Sequence, residues 1–178
     1  MCDKNKPSTL RLTEEQWKGL KQTIINGIKR KSLAARKMIE IDKEIAAGIH
    51  VYSVEELGKL LLLEKSPRRS KYRIINYRKF VSHASKFNLA TNYLKQKGRT
   101  ECNKISEGSF ASKSYSRDSY TMDTFANTQA RLGVFYVDLN YSSDSDIAKG
   151  IKKIPIIDIR TLGKAIDCLQ DIIDKRQS

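Results

Sequence analysis

The strongest constraint on the fold is a helical repeat of apolar residues near the start of the chain. After Thr13, apolar side chains recur at steps of three and four residues, the spacing that places them on one face of an α-helix. They are Trp17, Leu20, Ile24 and Ile28. Thr13 and Gln16 also have the spacing of a capping box, in which each side chain bonds the backbone N–H of the other residue. The sequence therefore predicts a helix that begins at Thr13.

Similar repeats predict two further long helices, antiparallel to the first and joined to it by short turns. The first helix covers 13–48, and an interruption near 31–32 is an alternative to one continuous helix of over 30 residues. A second covers 49–65 and ends before Pro67, because a proline disfavours helical backbone in the residue before it. A third covers 70–97 and ends at Gly98.

The rest of the chain has weaker patterns. The segment 99–118 has serine at five positions and little periodicity, which predicts a mobile loop. A short helix at 122–132 follows. The stretch VFYVDLN, 134–140, predicts a strand that pairs with a second strand at 152–158. A last helix covers 159–175. The predicted fold is therefore mainly all-α, an antiparallel helical bundle with a small C-terminal β-hairpin and a terminal helix.

The length of 178 residues corresponds to one domain. We predict a flexible tail at 1–10, core helices at 11–98, the loop at 99–118, and the remaining elements at 119–178. No apolar stretch suits a signal peptide, and about 18 consecutive apolar residues, as a membrane helix needs, occur nowhere. We therefore expect a soluble cytoplasmic protein without membrane contact.

The cysteines support the same compartment. The three are Cys2, Cys102 and Cys168, widely spaced and without a CxxC pair. An odd number at such spacing favours reduced thiols and argues against a zinc site. We expect neither a disulfide nor a metal or other cofactor.

Positive charge points to a polyanionic partner. The chain has 34 Lys and Arg against 20 Asp and Glu, a net charge of +14. Such a charge suits RNA, DNA or an acidic membrane. Between Lys65 and Thr100 there are eleven basic and no acidic residues, although a solvated basic face is the plainer interpretation. The residues predicted to bind RNA are Lys65, Arg68, Arg69, Lys71, Arg73, Lys79 and Lys86.

A candidate catalytic group lies around this basic segment. Glu55 and Lys59 are four residues apart, on one face of a helix that is otherwise apolar, and buried charges need partners. The next helix offers Arg78 and His83. An imidazole, with an ordinary pKa of ~6.5, exchanges a proton near neutrality. Because five residues of a regular helix rotate by about 140°, Arg78 and His83 share a face only if the helix begins or bends between them.

These residues resemble the HEPN superfamily, which carries Glu-x-x-x-Lys on one helix and Arg, then His four to six residues later, on another. The chain is most similar to AbiV-type abortive-infection proteins. They share the EELGK motif, matched at 55–59, then Phe-x-x-His-x-x-Lys, matched by Phe80, His83 and Lys86, then a Tyr-Val-Asp strand, matched at 136–138. The resemblance covers about 13–175.

The resemblance implies a metal-independent ribonuclease or RNA-targeting toxin that arrests growth or translation during phage infection. His83 would act as base and then acid, Arg78 would stabilise charge on phosphorus, and Glu55 and Lys59 would orient these groups or bind phosphate. It also implies a homodimer with facing Arg–His segments, and a phage protein or antitoxin as a further partner.

Other interpretations stay open. The bundle may be a non-catalytic module that binds RNA, a ribosome or a phage protein, or a nucleotide-binding partner of a nucleotidyltransferase antitoxin. His83 is alternatively a structural residue that bonds Glu56. His50, near Gly48 at a predicted helix boundary, is expected to be a capping or surface residue.

Overall fold

Five α-helices dominate the described part of the chain. The computed structural model describes residues 8–107, 119–121 and 158–176. The helices are α1 (Glu14–Met38), α2 (Lys43–Glu64), α3 (Tyr77–Val81), α4 (His83–Gln96) and α5 (Ile159–Asp174). The prediction of a mainly α-helical fold is therefore confirmed.

Part of the C-terminal prediction lies outside the described residues. This applies to the short helix at 122–132, the strand at 134–140 and all of 152–158 except Asp158. Asp158 is the N-cap of α5, and its side chain accepts a hydrogen bond from the backbone N–H of Thr161 at 2.7 Å. The predicted last helix is confirmed.

The first two helix boundaries follow their caps. Thr13 and Gln16 form the predicted capping box, with bonds of 2.9 and 3.2 Å. The predicted end of the first helix at Gly48 is wrong, because α1 stops at Met38. The side chain of Asp42 then accepts a hydrogen bond from the N–H of Ile45 at 2.9 Å and starts α2, so Gly48 lies inside that helix. Asx residues at this position stabilise a helix start.

A small antiparallel sheet combines one strand before α1 with two strands between α2 and α3, where the sequence predicts a turn and the start of a long helix. It contains β1 (Thr9–Thr13), β2 (Arg68–Arg69) and β3 (Tyr72–Asn76) in the order β1–β3–β2. Ser70, with φ of 55°, makes the turn between β2 and β3. The predicted helix start at residue 70 is therefore wrong, and β1 takes up the end of the predicted tail.

The segment predicted as a loop after Gly98 also contains regular structure. A 3₁₀-helix, Thr100–Asn103, leads into β4 (Lys104–Glu107), which pairs with β5 (Ser119–Thr121). Gly98 ends the preceding helix as predicted, and its φ of 65° is a left-handed conformation that glycine adopts without strain.

The core is centred on α2, which packs against α1, α4 and α5. The largest fully buried side chains are Ile28, Leu57, Leu60, Leu63, Ile75, Phe87, Leu94 and Leu162. Helix α5 closes the core with one apolar face and is tied at its end by an ion pair between Arg176 and Glu64. None of the described helices has both the length and the apolarity to span a bilayer.

A disulfide joins Cys102 of the 3₁₀-helix to Cys168 of α5, with Cα atoms 5.3 Å apart. The expectation of reduced thiols at these two positions is therefore wrong. Their separation of 66 residues hides the pairing in the sequence, because only the folding of α5 onto α2 and the turn after α4 brings them together.

Candidate functional site

Glu55 of α2 is a buried carboxylate with two polar partners on α4. The residue is only 4% exposed. Its Oε1 atom lies 2.7 Å from Nδ1 of His83 and 2.8 Å from Nζ of Lys86. We call Glu55, His83 and Lys86 the Glu55 cluster. Two residues that the sequence predicts to act together, Glu55 and His83, are thus brought into direct contact.

Two local features bring the cluster together. His83 and Lys86 are three residues apart in the first turn of α4 and therefore lie side by side on that helix. Gly58 of α2 lets the helices approach, because a Cβ atom there would lie 2.0 Å from the carbonyl oxygen of Lys86. The glycine of EELGK is therefore required by the packing of α2 against α4 at the cluster.

The helical conformation is interrupted between Arg78 and His83. Ser82 has extended backbone, with φ of −70° and ψ of 119°, and is both the end of α3 and the N-cap of α4. Its side chain accepts a hydrogen bond from the N–H of Ser85. Arg78 and His83 can share a face only if a helix begins or bends between them. This condition is met, because α4 begins at His83. Arg78 itself is exposed in α3.

The cluster favours an ionised Glu55. Burial raises the pKa of this carboxyl, but the hydrogen bonds from Lys86 and His83 and the positive charge of Lys86 lower it by more, so the net pKa lies below its ordinary value. An ionised carboxylate can only accept hydrogen bonds, and therefore Nδ1 of His83 must carry the proton in their bond. In a neutral imidazole the lone pair then lies on Nε2, and the His83 side chain is 55% exposed.

Lys59 belongs to a different ion group from the one predicted. Its Nζ lies 2.8 Å from Oε1 of Glu56, which also binds Lys31 of α1 at 3.2 Å. Glu55 and Glu56 are adjacent and so point to different neighbours, α4 and α1. The alternative partner that the sequence allows for His83, Glu56, is therefore wrong. The Lys59 side chain remains 25% exposed.

The residues predicted to bind RNA divide into two sets. Arg73 bonds Glu14 at 3.2 Å and lies over the ring of Trp17 at 4.7 Å. Lys86 is buried, so its ammonium faces Glu55 and not a surface phosphate, which corrects its predicted role. The others are exposed. They are Lys65, Arg68, Arg69, Lys71 and Lys79.

His50 is a core residue and not the predicted cap or surface residue. It is fully buried within α2, and its Nε2 lies 3.1 Å from the carbonyl oxygen of Cys102. Burial lowers its pKa to about 4, against a smaller opposite effect of the bond to Cys102. Its neighbours Ala46, Ala47 and Val51 are buried as well, and this run of small and apolar residues is the signal that sequence reasoning missed.

Within the described ranges, no group of three or more His, Cys, Asp or Glu side chains is placed to hold a metal ion. In comparisons with known proteins, no family model, no curated protein and no solved structure matches the chain.

Proposed function

We propose that the chain is an RNA-targeting protein of the HEPN type, of the AbiV class, which cleaves RNA without a metal ion and so arrests growth or translation of an infected cell. One observation carries the proposal. Nδ1 of a half-exposed histidine, His83, lies 2.7 Å from Oε1 of the buried Glu55. A carboxylate in this position fixes the tautomer and orientation of an imidazole for acid–base work.

The reaction needs few protein groups, because RNA supplies its own nucleophile. Nε2 of His83 removes the proton of a ribose 2′-OH, the 2′-oxygen attacks the adjacent phosphorus, and the bond to the 5′-oxygen breaks. The imidazolium returns its proton to that leaving oxygen, and the product ends in a 2′,3′-cyclic phosphate. General acid–base catalysis of this kind contributes about 10²–10⁴-fold.

Charged residues outside the cluster are assigned further roles in the proposed site. Arg78, exposed in α3, would stabilise the negative charge that grows on the phosphoryl oxygens. Lys59, with its side chain partly exposed, would bind a flanking phosphate. The exposed cations of the β2–β3 turn, Arg68, Arg69 and Lys71, would hold the RNA backbone by charge.

Assembly is part of the proposal. A symmetric homodimer through α2 and α3 would place two copies of Arg78 and His83 near one axis, and Val81 beside them is 48% exposed, as an interface residue would be in one isolated chain. Mixing inactive His83→Ala and Arg78→Ala proteins would regain cleavage only if the two chains share a cleft. A phage protein or an antitoxin is the proposed regulator.

An RNA substrate places the proposed activity in the cytoplasm. Disulfides are rare in that compartment because thiols reduce them. The Cys102–Cys168 bond is shielded there, since both residues are buried.

Cleavage in EDTA tests the proposal. Purified protein is incubated with total RNA, and the ends of the fragments are analysed for 2′,3′-cyclic phosphate. We expect such fragments from the wild type and from Asn92→Ala, an exposed position on α4, but not from His83→Ala. Binding without cleavage by the wild type would favour the non-catalytic RNA-binding module. Cleavage that needs added Mg²⁺ would overturn the metal-free mechanism.

A further inference from the structure

Lys86 has surroundings that do not suit a surface RNA contact. The residue is 3% exposed. Its Nζ lies 2.8 Å from Oε1 of Glu55, and 3.4 Å from the carbonyl oxygen of Val81 at the end of α3. A buried ammonium is costly unless a partner offsets the loss of hydration. Its position is therefore explained by the carboxylate that it contacts.

We propose that Lys86 is a positioning residue for the reaction, one that supplies a counter-charge to Glu55 and so keeps the hydrogen of the His83 imidazole on Nδ1. This inference rests on the proposed function, because it assigns a purpose to the state of His83. The charge on Lys86 acts through Glu55, and Lys86 itself touches neither RNA nor the reacting atoms.

The role follows from what remains when Lys86 is removed. A positive charge 2.8 Å from Oε1 of Glu55 is then lost, and the Glu55–His83 pair can offset this loss by gaining one proton in either of two ways. The imidazole can take up a proton, in which case Nε2 has no lone pair. Alternatively, Glu55 can take up the proton and donate it to Nδ1, in which case Nε2 carries the imidazole hydrogen. Both outcomes remove the base that the proposed reaction uses.

Several charged groups on the neighbouring helices have other partners or lie at the surface. Glu56, the next carboxylate along α2, is bonded by Lys31 of α1 and by Lys59. Arg78 of α3 is exposed. Lys86 is thus the buried cation that α4 brings to Oε1 of Glu55, on the same atom that His83 contacts.

Side-chain nitrogen NMR of His83 tests the inference directly. The probe is the protein without RNA, in the wild type and in Lys86→Met. Methionine keeps a long unbranched side chain, one atom shorter than that of lysine, and removes the charge. We expect Nδ1–H and a bare Nε2 in the wild type. In Lys86→Met we expect hydrogens on both imidazole nitrogens, or a hydrogen on Nε2 alone. Lys164→Met, at an exposed position of α5, should match the wild type.

A spectrum of His83 in Lys86→Met identical to that of the wild type would overturn the inference. If Lys86→Met does not fold, the double variant Glu55→Gln with Lys86→Met decides. Removal of both charges should restore folding, because only the unbalanced carboxylate is at fault. Failure of the double variant to fold would reject the charge-balance role.

RNA cleavage separates this inference from the proposed function. We expect Lys86→Met to cleave at least about 10²-fold more slowly than the wild type, the range of a lost general base. A wild type that cleaves no RNA, together with an altered His83 spectrum in Lys86→Met, would reject the ribonuclease and keep the positioning role. RNA cleavage at equal rates by the wild type and Lys86→Met would keep the ribonuclease and reject the positioning role.

Discussion

Substitution of Gly58 by alanine is the most direct test of how α2 and α4 form the site. An alanine Cβ would lie 2.0 Å from the carbonyl oxygen of Lys86 and 2.5 Å from its carbonyl carbon. These are backbone atoms, so no change of side-chain rotamer relieves the clash. Ordinary van der Waals contact begins at 3.4 Å, and the 2.0 Å contact must therefore lengthen by about 1.4 Å.

Two opposing effects determine how much the free energy of unfolding falls in Gly58→Ala. Overpacking a core costs about 1–3 kcal/mol, and more where backbone must move. Alanine has a higher helix propensity than glycine, which stabilises the folded protein by about 1 kcal/mol. We expect the free energy of unfolding to fall by about 2 kcal/mol. The same movement exceeds what the 2.7 and 2.8 Å bonds of Glu55 tolerate, so the cluster should separate even in the folded variant.

Urea denaturation followed by circular dichroism measures the first effect, and nitrogen NMR of His83 measures the second. Gly19→Ala is the matched control, because the new Cβ in α1 meets nothing within 4 Å. It should raise the free energy of unfolding by up to about 1 kcal/mol. A Gly58→Ala protein as stable as the wild type, beside a stabilised Gly19→Ala protein, would refute the close approach of the helices.

Three further predictions concern the disulfide, acid stability and RNA binding. Replacing Cys102 and Cys168 by serine should lower the free energy of unfolding by about 2–4 kcal/mol, and dithiothreitol should then destabilise only the wild type in the same urea titration. His50 has an ordinary pKa of 6.5 and a folded pKa of about 4. Between these values the unfolded chain binds a proton that the folded chain does not, so stability falls as the pH drops, by up to about 3 kcal/mol. A His50→Gln protein should show a flatter pH profile over that window, and an equally steep one would contradict the assignment. RNA affinity should fall with salt by a log–log slope of roughly −0.7 per phosphate neutralised. A smaller slope in Arg69→Gln, measured by fluorescence anisotropy, would place this exposed residue at the interface, whereas a slope near zero in the wild type would reject RNA as a partner.

Features that depend on neighbouring residues could be predicted from the sequence. The capping box at Thr13, the helix end at Gly98 and the apolar face of α5 each involve contacts within a few positions along the chain. The break at Met38 has a local signal too, in the Asp42 cap, but the apolar pattern that continues to Ile45 concealed it. Gly48 looked like a stop, although inside α2 it is one of several small buried residues.

Features that depend on distant residues could not be predicted. Strand β3 forms because it pairs with β1, more than sixty positions earlier, as in the register of Leu10 with Ile75. Its own five residues, YRIIN, are too few to exclude a helix. The Cys102–Cys168 bond is hidden for the same reason, because composition alone cannot show which cysteines meet in the fold.

The candidate site depends both on neighbouring residues of one helix and on contacts between distant residues. The i,i+4 spacing of Glu55 and Lys59 suggested a pair, but the helix turns Glu55 towards α4 and leaves Lys59 with its neighbour Glu56. The basic composition of residues 65–100 predicts the same surface role for Lys86 as for the other cations, and only its burial in the fold distinguishes it from them.

A buried lysine does, however, leave a trace in the sequence. Lys86 is one turn from His83 and next to Phe87, which is fully buried, so a histidine, a lysine and a core aromatic share one helix turn. A carboxylate on the opposing helix is then needed to offset the lysine charge, and the motif that supplies Glu55 also supplies Gly58, where the backbones come closest. The packing of α2 on α4 and the chemistry of His83 therefore depend on the same few residues, and a change that separates the helices removes the proposed base as well.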